Sequence, residues 1–358
     1  METTVKKLTL DEQENKGIIK MAATLIQEGS LVAFPTETVY GLGADALNPE
    51  ASRKIYEAKG RPSDNPLIVH ISRMEDLGKI ARHIPPKAEK LAAAFWPGPL
   101  TMIFAKSGAV PLETTGGLQT VAVRMPSHPV ALSFIREAGG FIAAPSANTS
   151  GRPSPTLAEH VAEDLDGRIP LILDGGPVGI GIESTIVDFS EEPPVVLRPG
   201  YITPAMMEAV IGPVKMDPGL GQEAFGVRPK APGMKYRHYA PKAELILVEG
   251  GLPKVQEKIS CLAREALGKG KRVGILGTEE TRACYKEGIF KSIGTRQEED
   301  TIARHLYGIL REFDKLGVDI IYSESFGSPG LGQAVMNRLL KAAGHRVVEA
   351  SEDRGIGG

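Results

Sequence analysis

The sequence is poor in the residues and runs that build disulfide-rich or membrane-spanning proteins. Its 358 residues include only two cysteines, Cys261 and Cys284, which lack CxxC spacing. A disulfide framework and a cysteine-based zinc or redox site are thereby excluded, so both thiols are expected to be buried or half-buried. No apolar run reaches the length of a membrane span, and the polar stretch Met1–Lys7 lacks a signal-peptide core. These absences predict a cytoplasmic protein with no membrane partner.

An excess of charge of either sign is also missing. Lysine and arginine total 42 against 44 acidic residues, and apolar residues make up 42% of the chain. No global electrostatic field therefore directs the protein to nucleic acid, and any basic site must be local. The length exceeds what one hydrophobic core usually organises, which predicts two domains.

Several catalytic motifs are absent as well. The sequence contains no Walker A motif, no HExxH, no GxSxG and no cysteine nucleophile with a partner. A covalent enzyme intermediate is therefore disfavoured.

Short β-branched runs alternate with helical patterns from Leu31 onward. This alternation is typical of an α/β domain of about 200 residues, predicted to span residues 1–211. The predicted strands are Leu31–Phe34, Leu67–Ile71, Leu100–Phe104, Thr120–Arg124, Phe141–Ala144, Leu171–Leu173, Ser184–Val187 and Val195–Leu197. The predicted helices are Pro49–Ala58, Pro86–Phe95, Pro129–Ala138 and Leu157–Leu165.

Periodicity stops between residues 212 and 241, where proline and glycine recur. This composition predicts a linker, and loops of this length inside compact proteins tend to be disordered or functional. The part from Ala231 to Pro241 contains two tyrosines, a methionine and three cationic or titratable side chains, a poor composition for a solvated tether. We therefore predict that the segment is an active-site lid.

A second alternating pattern follows the linker and predicts a smaller, Rossmann-like parallel α/β domain over residues 242–358. Its glycine-rich stretch Gly327–Gly332 does not supply GxGxxG between a strand and a helix, so it is a weak indication of a nucleotide site. The predicted strands are Glu244–Val248, Val273–Leu276 and Asp319–Ser323, and the predicted helices are Val255–Ala266, Glu299–Leu316 and Ala334–Ala342.

Three polar clusters could carry chemistry. Phe34–Gly43 runs from a strand into a turn with hydroxyls, a carboxylate and glycines that permit close backbone approach, or is only a decorated turn. Lys59–Pro66 offers a lysine and an arginine suited to phosphate oxygens, although a solvated helix end has the same composition. Ala143–Ser154 follows a strand end, where α/β sheets bind ligands, although Ser154 or Thr156 could cap a helix instead.

Two arginines, Arg124 and Arg198, end predicted strands, and Ser184 precedes another strand. Such arginines suit carboxylate or phosphate capture, but structural ion pairs are the alternative.

Together these motifs resemble the YrdC-like family of threonylcarbamoyl-AMP synthases. The resemblance covers Leu31–Pro199, and the long two-domain form of the family is indicated by two further motifs. At Ala231 the sequence departs from the serine of many relatives. The motifs are Pro35–Leu42, Lys59–Pro62, Pro66–His70, Pro145–Asn148 and Glu183–Thr185, followed by Pro232–Pro241 and Ala334–Leu339.

The resemblance implies a twisted α/β sheet with a large, positively charged cavity. It assigns catalysis to Lys59 and Arg61, threonine binding to five residues and ATP binding to nine, with magnesium expected alongside ATP but its ligands unknown. The implied threonine site is Thr36, His70, Arg124, Ala144 and Ser184. The implied ATP site is Lys59, Arg61, Ser63, Thr120, Ser146, Asn148, Ser154, Arg198 and His238.

The implied reaction joins L-threonine, bicarbonate and ATP into threonylcarbamoyl-AMP and pyrophosphate, for N6-threonylcarbamoyladenosine modification of tRNA. A carbamate oxygen would attack the α-phosphorus, so positioning and charge neutralisation suffice. Because carbamates decompose in water, a lid is required, with His238 as its nucleotide contact. Downstream tRNA-modification proteins would accept the product.

Two other functions remain open from the residues alone. A non-catalytic RNA-binding module could use a local basic patch, although the near-neutral charge counts against it. Carbamoyl transfer to another protein would normally come with additional domains and zinc-type cysteines, which are missing here.

Overall fold

The computed structural model describes residues 2–9, 12–220, 229–233, 238–327 and 330–350. Contacts divide the chain into two units. The first comprises Met1–Ser150 and Ser154–Tyr236, and the second comprises Gly151–Pro153 and Arg237–Gly358. The predicted boundaries at residues 211 and 241 stay predictions.

The described strands of the first unit form one mixed, eleven-stranded sheet in the order β1-β8-β2-β3-β7-β4-β6-β5-β9-β10-β11. Parallel and antiparallel pairs alternate irregularly along it, for example parallel β4/β6 beside antiparallel β6/β5. The strands are β1 Thr4–Lys7, β2 Val32–Phe34, β3 Gly41–Asp45, β4 Ile68–His70, β5 Leu100–Ala105, β6 Thr120–Arg124, β7 Ile142–Ala144, β8 Leu171–Asp174, β9 Thr185–Asp188, β10 Val195–Arg198 and β11 Lys215–Met216.

Helices pack on both faces of this sheet, because successive strand residues point to opposite faces. In β7, Ile142 and Ala144 pack with helices α1 and α5, whereas Ala143 joins the core on the other face. The helices are α1 Glu12–Gln27, α2 Pro49–Lys59, α3 Leu77–Ile80, α4 Pro86–Phe95, α5 Pro129–Glu137, α6 Ala158–Leu165 and α7 Pro204–Ile211, with a 3-10 turn at Met74–Asp76.

The second unit is built on a parallel, five-stranded sheet in the order β14-β13-β15-β12-β16. The predicted parallel α/β class of this unit is confirmed. Its strands are β12 Glu244–Glu249, β13 Val273–Gly277, β14 Ile289–Ser292, β15 Ile320–Glu324 and β16 Val347–Glu349. Its helices are α8 Leu252–Gly268, α9 Glu299–Leu316 and α10 Leu331–Ala342, with a 3-10 helix at Glu279–Cys284.

Most predicted elements are present within a residue or two, but several others escaped prediction. Strand β3 lies in the glycine-rich stretch taken for a turn, and β11 lies inside the predicted linker, where it pairs with β10. Neither has the β-branched run that marks a strand. The other elements not predicted are β1, α1, α3, α7, β14, β16 and the two 3-10 helices.

The expectation for the two cysteines is wrong, because both are exposed. Cys261 lies on α8, whose buried face is formed by other positions, including Val255 and Ile259. Cys284 ends the 3-10 helix Glu279–Cys284.

A separate expectation concerns the membrane. Within the described ranges, every helix is too short or too polar to cross a bilayer.

Strand β3 requires glycine at position 43. A Cβ atom there would lie 2.9 Å from Ile142 Cγ2 and 3.1 Å from Phe34 Cε1, closer than carbon atoms pack. Instead of the expected turn, these glycines form a strand whose neighbouring side chains pack close against Gly43.

We predict that Gly43→Ala lowers the free energy of unfolding by about 1–3 kcal/mol through overpacking. Gly17→Ala is the matched control, because nothing lies within 4 Å of the added Cβ in the interior of α1. That change should raise stability by about 0.5–1 kcal/mol. Guanidinium unfolding of both variants measures the difference, and equal stability would contradict the packing assignment.

Candidate active site

Helix α2 delivers Lys59 to the interior of the first unit. The Asn48 side chain caps the start of the helix by accepting from the Glu50 and Ala51 amides, and Pro49 opens the first turn. The helix ends at Lys59, and the following Gly60 caps it with a φ of 62°, which favours glycine. The chain therefore turns sharply immediately after Lys59 and leads into Arg61.

The Lys59 ammonium is held by the segment that follows β7. Its Nζ donates to Ser146 O at 2.6 Å and to Asn148 O, and it lies 3.5 Å from Asn148 Oδ1. Ser146 Oγ donates to Asn148 Oδ1 at 2.5 Å. Lys59 is only 1% exposed, so the alternative of a solvated helix end is wrong for this residue. Three predicted site residues are thus in direct contact.

The Arg61 guanidinium folds back onto its own loop. Nε donates to Asn65 O at 3.1 Å and Nη2 donates to Pro66 O at 3.0 Å. Arg61 is also buried, which again argues against a solvated helix end. Carbonyl oxygens fix the planar group in one orientation without neutralising its charge, which suits a cation that meets an anionic ligand.

One face of strands β4, β6 and β5 carries a row of polar side chains. His70 lies beside Arg124 in the register of β4 and β6, and Thr101 lies opposite Arg124 across β5. Thr101 Oγ1 is 2.7 Å from Ser184 Oγ, which extends the row to the start of β9. Residues of the same parity in these strands, such as Ile68, form a small apolar cluster on this face.

A β-bulge aims Arg198 at the same row. The register of β10 against β9 shifts between Val196 and Arg198, so that Arg198 lies opposite Ile186. Bulges re-aim side chains in this way. Arg198 Nε donates to Ser184 O at 3.1 Å, and Nη2 donates to Ser184 Oγ at 3.3 Å. Arg198 and Ser184, predicted for different ligands, are therefore neighbours.

The turn after β2 closes the row beside Arg124. Thr36 Oγ1 donates to Val39 O at 2.7 Å and lies 3.0 Å from Thr38 Oγ1. Arg124 Nη1 donates to Thr38 Oγ1 at 2.9 Å, and Nη2 lies 2.6 Å from Glu37 Oε1. Arg124 therefore takes part in an ion pair, as the structural alternative predicted. Thr36 stabilises the turn through its own hydrogen bonds, as expected if the segment were only a turn.

His70 is held as a neutral imidazole. Burial, and then the nearby Arg124 guanidinium, lower its pKa to about 3. Nδ1 lies 3.1 Å from Ile68 O, and because a carbonyl only accepts, Nδ1 carries the hydrogen. Nε2 of the neutral ring is then an acceptor.

Ser154 does not cap a helix. Its Oγ donates to Glu183 Oε1 at 2.5 Å, and helix α6 begins at Ala158 after Leu157, without a side-chain cap. The capping alternative for Ser154 is therefore wrong. The contact instead joins two of the predicted motifs, since Glu183 precedes Ser184.

The other four predicted residues are Ser63, Thr120, Ala144 and His238. Ser63 is exposed and lines a cavity of about 470 Å³ with Tyr56. Thr120 begins β6 and Arg124 ends it, a span of about 13 Å at the usual strand rise. Ala144 lies opposite Ile68 between β7 and β4. His238 falls in the second unit, where its ring is 5.5 Å from that of Tyr239.

Sequence reasoning missed three residues of this region. Glu37 was seen only as a carboxylate in a turn, although its position between two threonines of the first motif was the available signal. Glu183 stands inside a quoted motif but received no role. Thr101 had no signal, because it is one residue of an ordinary strand.

Metal ligands remain unassigned. Among the described residues, no three His, Cys, Asp or Glu side chains come together in an arrangement that could hold a metal ion. Magnesium commonly binds through substrate phosphates with one or two carboxylates, so a protein cage is not required for it.

The first unit is thus a mixed α/β domain that gathers buried lysine, arginine and hydroxyl groups, the class of site that receives anionic ligands. A family model described as "Telomere recombination" matches residues 24–200, and one described as "Threonylcarbamoyl-AMP synthase, C-terminal domain" matches residues 202–344. The chain belongs to the threonylcarbamoyl-AMP synthase family, which confirms the resemblance.

Two relatives and one solved structure illustrate the similarity. The threonylcarbamoyl-AMP synthase of Bacillus subtilis (strain 168) is 54% identical over 331 residues, covering 92% of this chain and 94% of the relative. That of Pyrococcus abyssi (strain GE5 / Orsay) is 53% identical, covering 92% and 95%. The crystal structure of P. abyssi Sua5 complexed with L-threonine matches with a TM-score of 0.90 and 49% identity, covering 98% of this chain and 99% of that one.

We predict that His70 makes stability fall as the pH drops below about 6.5. Between its usual pKa and its native pKa of about 3, the unfolded chain binds a proton that the folded chain does not. The loss approaches about 1.4 kcal/mol per pH unit and totals about 1.6 kcal/mol from pH 6.5 to pH 5.

The measurement compares unfolding of the wild type and His70→Gln at both pH values. The variant should lose less stability on acidification by about that amount. His83→Gln, on the exposed surface, controls for the loss of one imidazole. The same pH dependence in wild type and His70→Gln would contradict the assignment.

Proposed function

We propose that this protein makes threonylcarbamoyl-AMP and pyrophosphate from L-threonine, bicarbonate and ATP, in the cytoplasm, for tRNA modification. Support comes from relatives of that name at 53–54% identity over nearly the full chain. The observation that carries the proposal is the buried Lys59 ammonium, bound to the carbonyl oxygens of Ser146 and Asn148. It joins two separate motifs into one cationic site.

The nucleotide end of the proposed site contains the cations Lys59, Arg61 and Arg198. All three are buried, and each donates to at least one carbonyl oxygen that helps to orient it. Such preorganised cations stabilise the charge that develops on a transferring phosphoryl group. The proposed neutral contacts with ATP are Ser63, Thr120, Ser146, Asn148 and Ser154, with His238 added from the linker.

The threonine end lies around Arg124. An arginine fork suits the α-carboxylate, and the neutral acceptor Nε2 of His70 suits an ammonium or hydroxyl proton. Thr36 and Ser184 supply hydroxyls, and Ala144 lies opposite Ile68. The P. abyssi Sua5 structure was solved with L-threonine, which supports a threonine pocket in this family.

The proposed reaction requires the protein to position the substrates and to neutralise the negative charge of the phosphates. The threonine amine and bicarbonate form a carbamate with loss of water. A carbamate oxygen then attacks the α-phosphorus and expels pyrophosphate, while the cations hold the phosphates in line for that attack. Magnesium, brought by the ATP phosphates, would neutralise further charge. The RNA-binding alternative is not favoured, because relatives covering nearly the whole chain are named as synthases. Downstream proteins that take up the labile product remain part of the proposal.

The linker is proposed to close over this site. Ala231 packs into the small apolar cluster on the polar face of the sheet, whose other members all belong to strands. Arg198 Nη1 donates to Pro232 O at 3.3 Å, so the segment 229–233 contacts a proposed ATP residue directly. Lys235 and Arg237, also expected to meet phosphates, lie outside the described residues. A water-excluding cover suits an unstable carbamate.

We predict that Lys59→Ala lowers the rate of pyrophosphate release by about 10²–10³-fold, because a preorganised charge contact is lost. Lys54→Ala is the matched control, since Lys54 is on the same helix and its Nζ donates to Gly29 O at 2.7 Å, outside the proposed site. Threonine-dependent pyrophosphate release from ATP measures both. A folded Lys59→Ala protein with wild-type turnover would make the assignment wrong.

We also predict that a Gly/Ser replacement of residues 234–239 abolishes synthesis or leaves ATP consumption without stable product. The replacement keeps the reach of the segment and removes its side chains. Mass spectrometry of the product and pyrophosphate release measure the two quantities. In the variant, proteases should cut the linker equally with and without ligands, and synthesis at the native rate would show that the segment is only a tether.

A further inference from the structure

Each nitrogen of the Arg124 guanidinium lies near a group of the protein itself. Nη2 lies 2.6 Å from Glu37 Oε1, Nη1 donates to Thr38 Oγ1 at 2.9 Å, and Nε donates to Gly98 O at 3.4 Å. The side chains of Arg124 and Glu37 are only 5% and 12% exposed. A ligand carboxylate that binds Arg124 therefore meets another carboxylate already in place.

The contact between Glu37 and Arg124 is close but poorly aligned. Neither carboxylate oxygen of Glu37, nor Arg124 Nη2, makes a hydrogen bond of good geometry, although the atoms are within ion-pair distance. A charge pair without aligned hydrogen bonds leaves part of its desolvation cost uncompensated. The pair is thus less stable than a bidentate arginine–carboxylate pair.

Hydrogen bonds hold the backbone of the turn at Glu37 and Thr38, but they do not involve the Glu37 side chain. Ile180 N donates to Glu37 O at 2.9 Å, and Gly181 N donates to Thr38 O at 3.1 Å. These bonds anchor the main chain to the glycine-rich loop before Glu183. Rotation of the Glu37 side chain can therefore free Arg124 without moving the sheet or the turn.

We propose that Glu37 is a positioning residue that occupies Arg124 as an internal carboxylate and gives way to the α-carboxylate of the amino-acid substrate. The inference rests on the proposed threonine site. Two carboxylates cannot share one buried guanidinium without strong repulsion, so binding of the substrate displaces Glu37. Arg124 stays paired between turnovers, and the apparent affinity for substrate is reduced by the fraction of Arg124 that Glu37 holds.

Removal of the competing charge should strengthen substrate binding. If Glu37 is paired with Arg124 in about ten of every eleven molecules, Glu37→Gln lowers the Kd for L-threonine about tenfold. L-Threoninamide has no carboxylate to exchange with Glu37, so its Kd should not change in the variant. The Kd for ATP should not change either. This pattern separates competition at Arg124 from a general effect on the fold.

Calorimetric titration of the full chain with L-threonine and L-threoninamide tests the inference. Glu192→Gln is the matched control, because Glu192 forms an exposed pair with Lys87 at 2.5 Å in the same unit, and it should leave both Kd values unchanged. An unchanged or weaker Kd for L-threonine in folded Glu37→Gln would overturn the inference.

Two further measurements keep the outcomes distinct. Arg124→Gln, with Glu37 unaltered, should weaken L-threonine binding. If binding is unchanged, the proposed threonine site itself is wrong, and the role of Glu37 is wrong with it. A crystal structure of the unaltered protein with L-threonine should show Glu37 withdrawn from Arg124 Nη2. A retained 2.6 Å contact beside a carboxylate bound to Arg124 would contradict displacement, even if Glu37→Gln does not fold.

Discussion

The compensation of buried positive charge is the constraint on which the rest of the first unit depends. Lys59, Arg124 and Arg198 are each less than 5% exposed, and an uncompensated buried ion costs several kcal/mol. Lys59 donates to carbonyl oxygens, and Arg198 donates to a carbonyl and a hydroxyl oxygen, which orient each cation. Arg124 is paired with a carboxylate, that of Glu37.

This arrangement explains why irregular backbone surrounds the site while regular strands carry it. Carbonyl oxygens are available for a side-chain cation only where the backbone leaves the ladder, as at Ser146 and Asn148 after β7. The bulge in β10 serves the same end by turning Arg198 toward Ser184. The regular strands fix the positions of the cationic side chains, and the irregular backbone segments supply oxygen atoms that accept their hydrogen bonds.

Both faces of the sheet carry a hydrophobic core, and one of them also carries the row of polar side chains. One large core packs helices α2, α4, α6 and α7 against alternate strand residues such as Val69, Val123 and Val187. The intervening positions on the same strands include His70, Arg124 and Thr101. Because a single strand provides both sets, a register shift of one residue would move the polar row into the core.

Much of the fold was readable in the sequence, because period-two runs and proline-led helices are local signals. Thr120–Arg124, Pro86–Phe95 and Glu299–Leu316 were predicted with the bounds that the structure has. Strand β3 was not, since its glycines carry no apolar pattern and are needed only where Phe34 and Ile142 approach. A requirement set by neighbours distant in the chain leaves no local signature.

The sequence by itself determined the residue types of the site, its motifs and the family to which they belong. Only the tertiary structure decided that Lys59 is buried rather than solvated, that Ser154 meets Glu183 instead of capping a helix, and that Arg124 is paired with Glu37. The physical reason is that burial and pairing depend on segments far apart in the chain, Lys59 with Asn148 and Arg124 with Glu37, which strand order and register alone bring together.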